Sequence, residues 1–286
     1  MQGDAAREAW SKWVGRTQTL TDTLVAIPAR ALAATLDRPD AEAMRPGAEL
    51  PFPWVWLYFL SFTPASGIAA DGHAKRGGFL PPVELPRRMW AGSRCVFHAP
   101  LHIGERVERV STIENVSQKA GEAGPMVFVT VRHAISRDGT LATEEEQDIV
   151  YLPIADRFAP PPPTPLPDCA WSETVPVDPV LLFRFSALTF NAHRIHYDRA
   201  YATDVERYPG LVVHGPLQAI LLFDAACRHA PDRRPARFDF RGVRPMFDAG
   251  PLTLNGRPNE AGGLDLFTAD GEGAVGMQAT LAWQPP

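Results

Sequence analysis

The stretch FRFSALTFNAHRIHYDRAYATDVERYPGLVVHGPLQAILLFDAACRH, residues 183–229, decides how this chain is read. Its second part opens on His214-Gly215-Pro216 and continues through Leu217, Ile220, Leu221, Leu222, Phe223, Ala225, Ala226 and Cys227. Proline is favoured at the start of a helix, where its missing N–H is not needed and its fixed φ suits the turn. The apolar residues behind it cover more than one narrow stripe, so the spacing predicts a helix wrapped by other structure. Gly215 lets the backbone come close to a ligand. The first free N–H groups and the positive end of the helix dipole then face a sheltered space, suited to an anion or a polarised carbonyl oxygen.

The first part of the stretch is a polar loop holding Asn191, His193, His196 and Asp198, followed by a turn at Tyr208-Pro209-Gly210. Histidine is the side chain best placed to exchange protons near neutral pH. Pulling a proton from carbon beside a thioester carbonyl, or adding water across the conjugated double bond, needs such a base and also a donor for the charge developing on the carbonyl oxygen. A backbone N–H in that position is worth about 2.7–4 kcal/mol. Other chemistries fit less well. Zinc on His193, His196 and His214 lacks a carboxylate or cysteine to complete a familiar motif, so no metal is expected. Ser186 has no GxSxG context, and Cys227 sits well inside the helix, where core packing is expected.

Composition narrows the partners. The chain has 286 residues, of which 45% are hydrophobic and 21% charged, enough for a large core. A net charge of -5 excludes an electrostatic nucleic-acid surface, and no polybasic segment points to an anionic membrane. Small molecules or protein are the expected partners. Cys95, Cys169 and Cys227 are odd in number and widely spaced, which suggests neither a disulfide framework nor a zinc site and fits a reducing cytoplasm. The opening MQGDAAREAW lacks the profile of a signal peptide, and the apolar run near residues 51–62 is too short and proline-broken to span a bilayer.

Along the chain, residues 1–36 read as a helix carrying Trp10, Trp13 and Val14, then a second helical stretch from about Thr21 to Leu36. The aromatic run Phe52, Trp54, Trp56, Tyr58, Phe59, Phe62 is expected in a core or between domains. Residues 64–94 read as a long irregular loop with Lys75, Arg76, Arg87, Arg88 and Arg94, either solvated or holding phosphates. From Arg94 to Tyr151 the β-branched and aromatic content predicts antiparallel strands with turns at Gly104, Gly121, Gly124 and Asp138-Gly139. His98, His102 and His133 lie there without metal-ligand spacing, and Glu144, Glu145, Glu146 and Asp148 lead into the last strand.

The proline-rich 157–168 is a stiff linker between domains 1–156 and 169–286. Beyond it, Leu181–Leu188 reads as a strand, and further strands follow at 236–244, 252–256, 264–269 and 274–283. Each half thus places helical structure ahead of several antiparallel strands, an α+β arrangement whose two sheets can pair edge to edge.

RFSALTFNAHRIHYDRAYA followed by YPGLVVHGPLQAILL resembles the MaoC-like, R-specific enoyl-CoA hydratase group. With AKRGGFLPPVELPRRMWAGSR and EEQDIVY, the chain looks closest to the double-hot-dog branch of itaconyl-CoA and mesaconyl-C4-CoA hydratases and mitochondrial-type 3-hydroxyacyl-thioester dehydratases. The resemblance implies a tandem hot-dog fold, each half a sheet wrapped around a central helix, with an N-terminal structural and substrate-binding half and a C-terminal catalytic half. It also implies an acyl-CoA substrate, no metal, no cofactor beyond the substrate's own CoA, reversible syn addition of water, and scope for a homodimer.

His196 stands at the family's catalytic histidine and Gly215 at its oxyanion glycine. Asn191 replaces the usual Asp, so its amide is expected to orient the water while His196 moves the proton, with His193 and His214 beside it. Asp198 or Asp148 is a candidate to orient His196, and Arg76, Arg87, Arg88 and Arg94 to meet CoA phosphates or a substrate carboxylate. A thioesterase on the same fold, or an acyl-CoA-binding module without turnover, are the alternatives.

Overall fold

The computed structural model describes residues 10, 12–121 and 124–285. Its strands are β1 (Thr17–Thr23), β2 (Glu49–Leu50), β3 (Arg87–Phe97), β4 (Leu101–His102), β5 (Arg106–Gly121), β6 (Gly124–Arg137), β7 (Thr140–Leu152), β8 (Trp171–Val175), β9 (Pro235–Gly242), β10 (Leu252–Pro258), β11 (Leu264–Ala269) and β12 (Val275–Trp283). The α-helices are α1 (Ala26–Thr35), α2 (Pro179–Leu188) and α3 (Gly215–His229). Ten strands form one sheet in the order β1-β5-β6-β7-β3-β9-β12-β11-β10-β8, and every pairing is antiparallel.

The two halves meet where β3 pairs with β9, with Gly92 opposite Arg241 and Cys95 opposite Phe238. Each half thereby covers a sheet edge of the other. Within the first half, β6 turns into β7 at Asp138-Gly139, where both residues have positive φ, 48° and 76°. A two-residue hairpin of type I′ requires that geometry, and the Asp-Gly pair supplies it cheaply.

The apolar run after Pro216 is the wrapped helix that its pattern predicts: Leu217 through Ala226 of α3 are all buried, against β9, β10, β11, β12 and β3. Each buried Leu, Ile or Phe there contributes about 1.5–3 kcal/mol. Polar residues on this helix are paired, as burial demands. Thr268 Oγ1 donates to Gln218 Oε1 at 2.7 Å, and Arg38 donates to Asp224 at 2.8 Å. Burial still holds the Asp224 carboxyl above its usual range despite that guanidinium.

Several elements differ from the sequence reading. Leu181–Leu188 is helical, because Asp178 caps the Leu181 N–H at 2.7 Å and Pro179 occupies the first turn. Thr21–Thr23 belongs to strand β1, pairing with β5, so the helix is confined to Ala26–Thr35. Of the helix expected around Trp10, residues 1–9 and 11 lie outside the described residues, and 12–15 form a turn.

The irregular 64–94 segment ends at residue 86, and Arg87, Arg88 and Arg94 stand on β3. The long central helix is present in the second half, whereas the first has α1 and a short 3-10 segment, Phe52–Leu57. The aromatic run there is core except at Phe62, which is 75% exposed; Phe52 stacks on Phe97 with centroids 4.1 Å apart. The prolines of 157–168 lie against the second half: Val275 N–H donates to Thr164 O, and Arg244 to Pro161 O. Among the described residues no helix is long and apolar enough to cross a membrane.

Candidate active site

A cavity of about 740 Å³ opens between the halves, of a size suited to a small-molecule ligand. His196, His214, Gly215, Asn191 and His193 line it from the second half, and His73, Arg88, Trp90 and Tyr151 from the first. The imidazole of His196 and the start of α3 therefore face one space, as the sequence reading requires.

Local structure positions each group. Asn191 Oδ1 accepts the His193 N–H at 3.0 Å, which folds the loop back before a 3-10 turn, Arg194–His196. Val212 N–H donates to Ile195 O at 2.9 Å, tying this turn to the extended segment that leads into α3. In the first turn of α3, Gln218 N–H donates to His214 O. The Gly215 N–H, at the first turn of α3, has no protein partner among the described residues.

His196 Nδ1 lies 2.7 Å from Val212 O. A carbonyl only accepts, so the proton sits on Nδ1 and Nε2 keeps its lone pair. The ring stacks on His214 with centroids 3.6 Å apart, and His214 Nε2 meets Ser186 Oγ at 2.8 Å. His214 Nδ1 is buried without a partner. Burial, with the neighbouring His214 and His193, pushes the His196 pKa well below 6.5, and burial together with His193 takes His214 down to about 3. Both rings are thus neutral at pH 7, and His196 is a base with an open Nε2.

His193 is held from behind. Its Nε2 is 3.3 Å from Glu206 Oε1, and Arg87 Nε donates to Glu206 Oε2 at 3.0 Å. Burial raises the Glu206 carboxyl, but the hydrogen bond and charge of His193 and the Arg87 guanidinium outweigh it and keep the group ionised. On the other side His193 meets His73, ring centroids 4.1 Å apart, and His73 Nδ1 lies 3.0 Å from Asp71 Oδ2. His73 is lowered to about 4, by burial first and by the nearby His193 and Arg88, with Asp71 opposing. Asp71, His73 and His193 each bring one donor atom within 4.8 Å of the others. That grouping differs from the His193, His196, His214 set weighed on sequence.

The other candidates lie elsewhere or are engaged. Asp198 accepts from Arg194 and from the Tyr201 N–H, and Asp148 pairs with Arg94 on the sheet, so the orienting partner of His196 is a backbone carbonyl. Arg94 also pairs with Glu146, Arg87 is taken by Glu206, and Arg76 donates to Val83, Leu85 and Pro86 carbonyls. Arg88 lines the cavity with no carboxylate partner among the described residues. Sequence reasoning passed over Asp71, His73 and Glu206. Asp71-Gly72-His73 carried a signal, a carboxylate and an imidazole either side of a glycine, hidden in a loop weighed only for its cations.

Low imidazole pKa values make stability depend on pH. His73, His133, His196 and His214 all have folded pKa values below the unfolded 6.5. Below pH 6.5 the unfolded chain binds protons that the native chain refuses, at about 1.4 kcal/mol per group per pH unit. Glu145 and Asp224, raised by burial, act in the opposite direction. Four groups outweigh two, so the melting temperature is expected to be level between about pH 6.5 and 8 and to fall steeply from pH 6.5 towards pH 4. A level thermal-melt series across that window would contradict this.

These features define a tandem sheet-and-helix protein with a histidine base and a free helix-start N–H on one cavity. The family model for hydroxyacyl-thioester dehydratase type 2 matches residues 53–248, and the chain belongs to that family. It is 48% identical over 276 residues to mesaconyl-C(4)-CoA hydratase of Chloroflexus aurantiacus, covering 95% of this chain and 97% of that protein. A solved MaoC-like dehydratase superposes with a TM-score of 0.72 at 15% identity, over 96% of this chain and 98% of that one. A Mycobacterium tuberculosis protein described as a double hot-dog superposes at 0.57 and 14% identity, over 94% and 96%. The fold is the double hot-dog that the sequence resemblance implies.

Proposed function

We propose that the protein catalyses reversible hydration of an enoyl-CoA to a 3-hydroxyacyl-CoA. The observation that carries this is the unprotonated Nε2 of His196 facing the same cavity as the unpartnered Gly215 N–H. His196 Nε2 takes a proton from water as the oxygen bonds to the β-carbon. The π pair moves towards the thioester, and the enolate oxygen is held by the Gly215 N–H, a contact that strengthens as charge develops. The imidazolium then returns the proton to the α-carbon. One imidazole serving both steps from one side accounts for syn addition. Asn191 turns its amide N–H groups towards the water, since its oxygen is used by His193.

The 48% relative supports a short branched, dicarboxylic acyl group of the mesaconyl kind, and the sequence resemblance adds itaconyl-CoA as a candidate. Arg88 is the group we assign to an anionic part of that substrate. The unpaired cysteines support a reducing cytoplasm. Exposed Ile27 on α1 and Val180 and Phe183 on α2, two helices that pack together, are the surface we assign to a homodimer, which sedimentation velocity checks.

The test of function is a panel of enoyl-CoA thioesters, linear, branched and dicarboxylic, followed by loss of the conjugated-thioester absorbance. Hydration of at least one member is expected. Release of free CoA without hydration would instead make the protein a thioesterase, and binding without turnover a carrier.

A further inference from the structure

A water molecule attacking a β-carbon has four directions to satisfy. One hydrogen goes to His196 Nε2, one lone pair receives an Asn191 N–H, and the other lone pair points at carbon. The second hydrogen needs an acceptor. In a family that places an Asp at position 191 a carboxylate can serve, but here the amide that offers the water an N–H turns its oxygen away from that water, to the His193 N–H. His193 turns Nε2 to Glu206 and keeps a lone pair on Nδ1, but the residue is 3% exposed, whereas the His73 side chain is 20% exposed and lines the cavity.

We propose that His73, oriented by Asp71, is the second acceptor for the attacking water, so that the N-terminal half contributes a catalytic group to the site. This rests on the hydratase reading above. His73 Nδ1 donates to Asp71 Oδ2 and the His73 backbone N–H to Asp71 Oδ1, both at 3.0 Å, so one carboxylate oxygen holds the ring and the other its backbone. That arrangement leaves the lone pair on Nε2. Nε2 has no protein partner among the described residues, and His73 lines the cavity beside His193. Asp71 acts through the ring and is a positioning residue.

The loop is built into this place. Arg194 N–H donates to Asp71 O at 2.9 Å, and the Arg194 guanidinium to Ala70 O at 3.1 Å. Gly72, at φ +92°, passes so close to the histidine loop that a Cβ there would lie 1.6 Å from Ala192 O. The groups bearing on His73 are Asp71 on its own loop, Arg88 on β3 and His193 on the histidine loop. Two of these oppose a proton on His73, as does burial, and they keep the ring an acceptor at neutral pH.

The experiment compares kcat and KM of the native chain with His73→Phe, His73→Gln, Asp71→Leu and Asp71→Asn on an enoyl-CoA that the native chain hydrates. His73→Phe keeps a ring against His193 but offers no acceptor. A fall in kcat of about 30- to 100-fold is expected, with KM within threefold. His73→Gln restores an acceptor and is expected to recover at least about a tenfold part of the loss. Asp71→Leu should likewise lower kcat with KM little changed, and Asp71→Asn, which still accepts the Nδ1–H, should be the milder of the two. If the His73→Phe variant fails to fold by circular dichroism, the Asp71 pair reads the same claim without altering the ring.

His73→Phe within threefold of native kcat would overturn the proposal, as would a loss carried by KM alone or a His73→Gln variant no better than His73→Phe. Loss of native activity on dialysis against EDTA, with recovery on adding zinc, would also overturn it, by placing a cation among Asp71, His73 and His193. A native chain that hydrates none of the thioesters sinks the hydratase reading and this proposal with it. An active native chain with an active His73→Phe variant sinks this proposal alone.

Discussion

Replacing His196 by alanine is expected to lower kcat for enoyl-CoA hydration by about 10²- to 10⁴-fold, the usual contribution of a positioned general base. The ring is buried and its Nδ1–H is spent on Val212 O, so Nε2 is its available proton acceptor. The other histidines on the cavity are held differently: His214 uses Nε2 on Ser186, His193 turns Nε2 to Glu206, and His73 is held through Nδ1 by Asp71 in the other half. The strands and α3 do not depend on this side chain, so circular dichroism should remain native-like. Steady-state rates with the best thioester of the panel check the claim, and near-native turnover by a folded His196→Ala would reject the assignment.

Gly72→Ala is expected to be the most damaging small substitution near the site. The added Cβ would meet Ala192 O at 1.6 Å and Ala192 C at 2.5 Å, both backbone atoms that cannot rotate away. The residue also has φ +92°, where an L side chain is strained by about 1–3 kcal/mol before any clash is counted. The loop carrying Asp71 and His73 must lift off the histidine loop and give up the Arg194 N–H bond to Asp71 O. A lower melting temperature, loss of amide-exchange protection at Arg194 and a kcat reduced by about tenfold or more are expected together. Gly78→Ala is the control, because nothing lies within 4 Å of its Cβ position and its φ is not positive. Equal melting temperatures and rates for the two variants would contradict this account.

Both expectations depend on how the halves are joined. Pairing of β3 with β9 makes one continuous sheet, and residues from β3 and the 69–74 loop thereby line the same cavity as His196 and the helix start of the second half. Among the described residues the first half carries no long central helix, and it lines the cavity with a loop and a strand. A substitution at residue 72 or 73 can therefore be felt at His196 more than a hundred residues away, through packed backbone.

Much of this was legible in the chain itself. The wrapped helix announced itself through Gly215-Pro216 and a run apolar on every side, because helix starts and burial are written in local residue order. The long hairpins were legible from β-branched residues broken by Asp138-Gly139, and the nearness of His196 to the helix start from their shared loop. Leu181–Leu188 was ambiguous, since a short continuous apolar run fits a buried strand or a helix; the Asp178 cap and Pro179 decided it.

What only the tertiary structure decided is what crosses between distant segments. No spacing rule connects Asp71-Gly72-His73 to Ala192-His193, or Arg87 to Glu206, because loop closure over such separations leaves no periodic trace in sequence. Nor could composition distinguish Arg88, facing the cavity, from Arg87 and Arg94, taken by carboxylates. Residue order determined the elements and the chemistry available to them. Packing of one half against the other decided which of those groups share a cavity, because a side chain's reach is a few ångströms while the chain between these partners runs through a whole sheet.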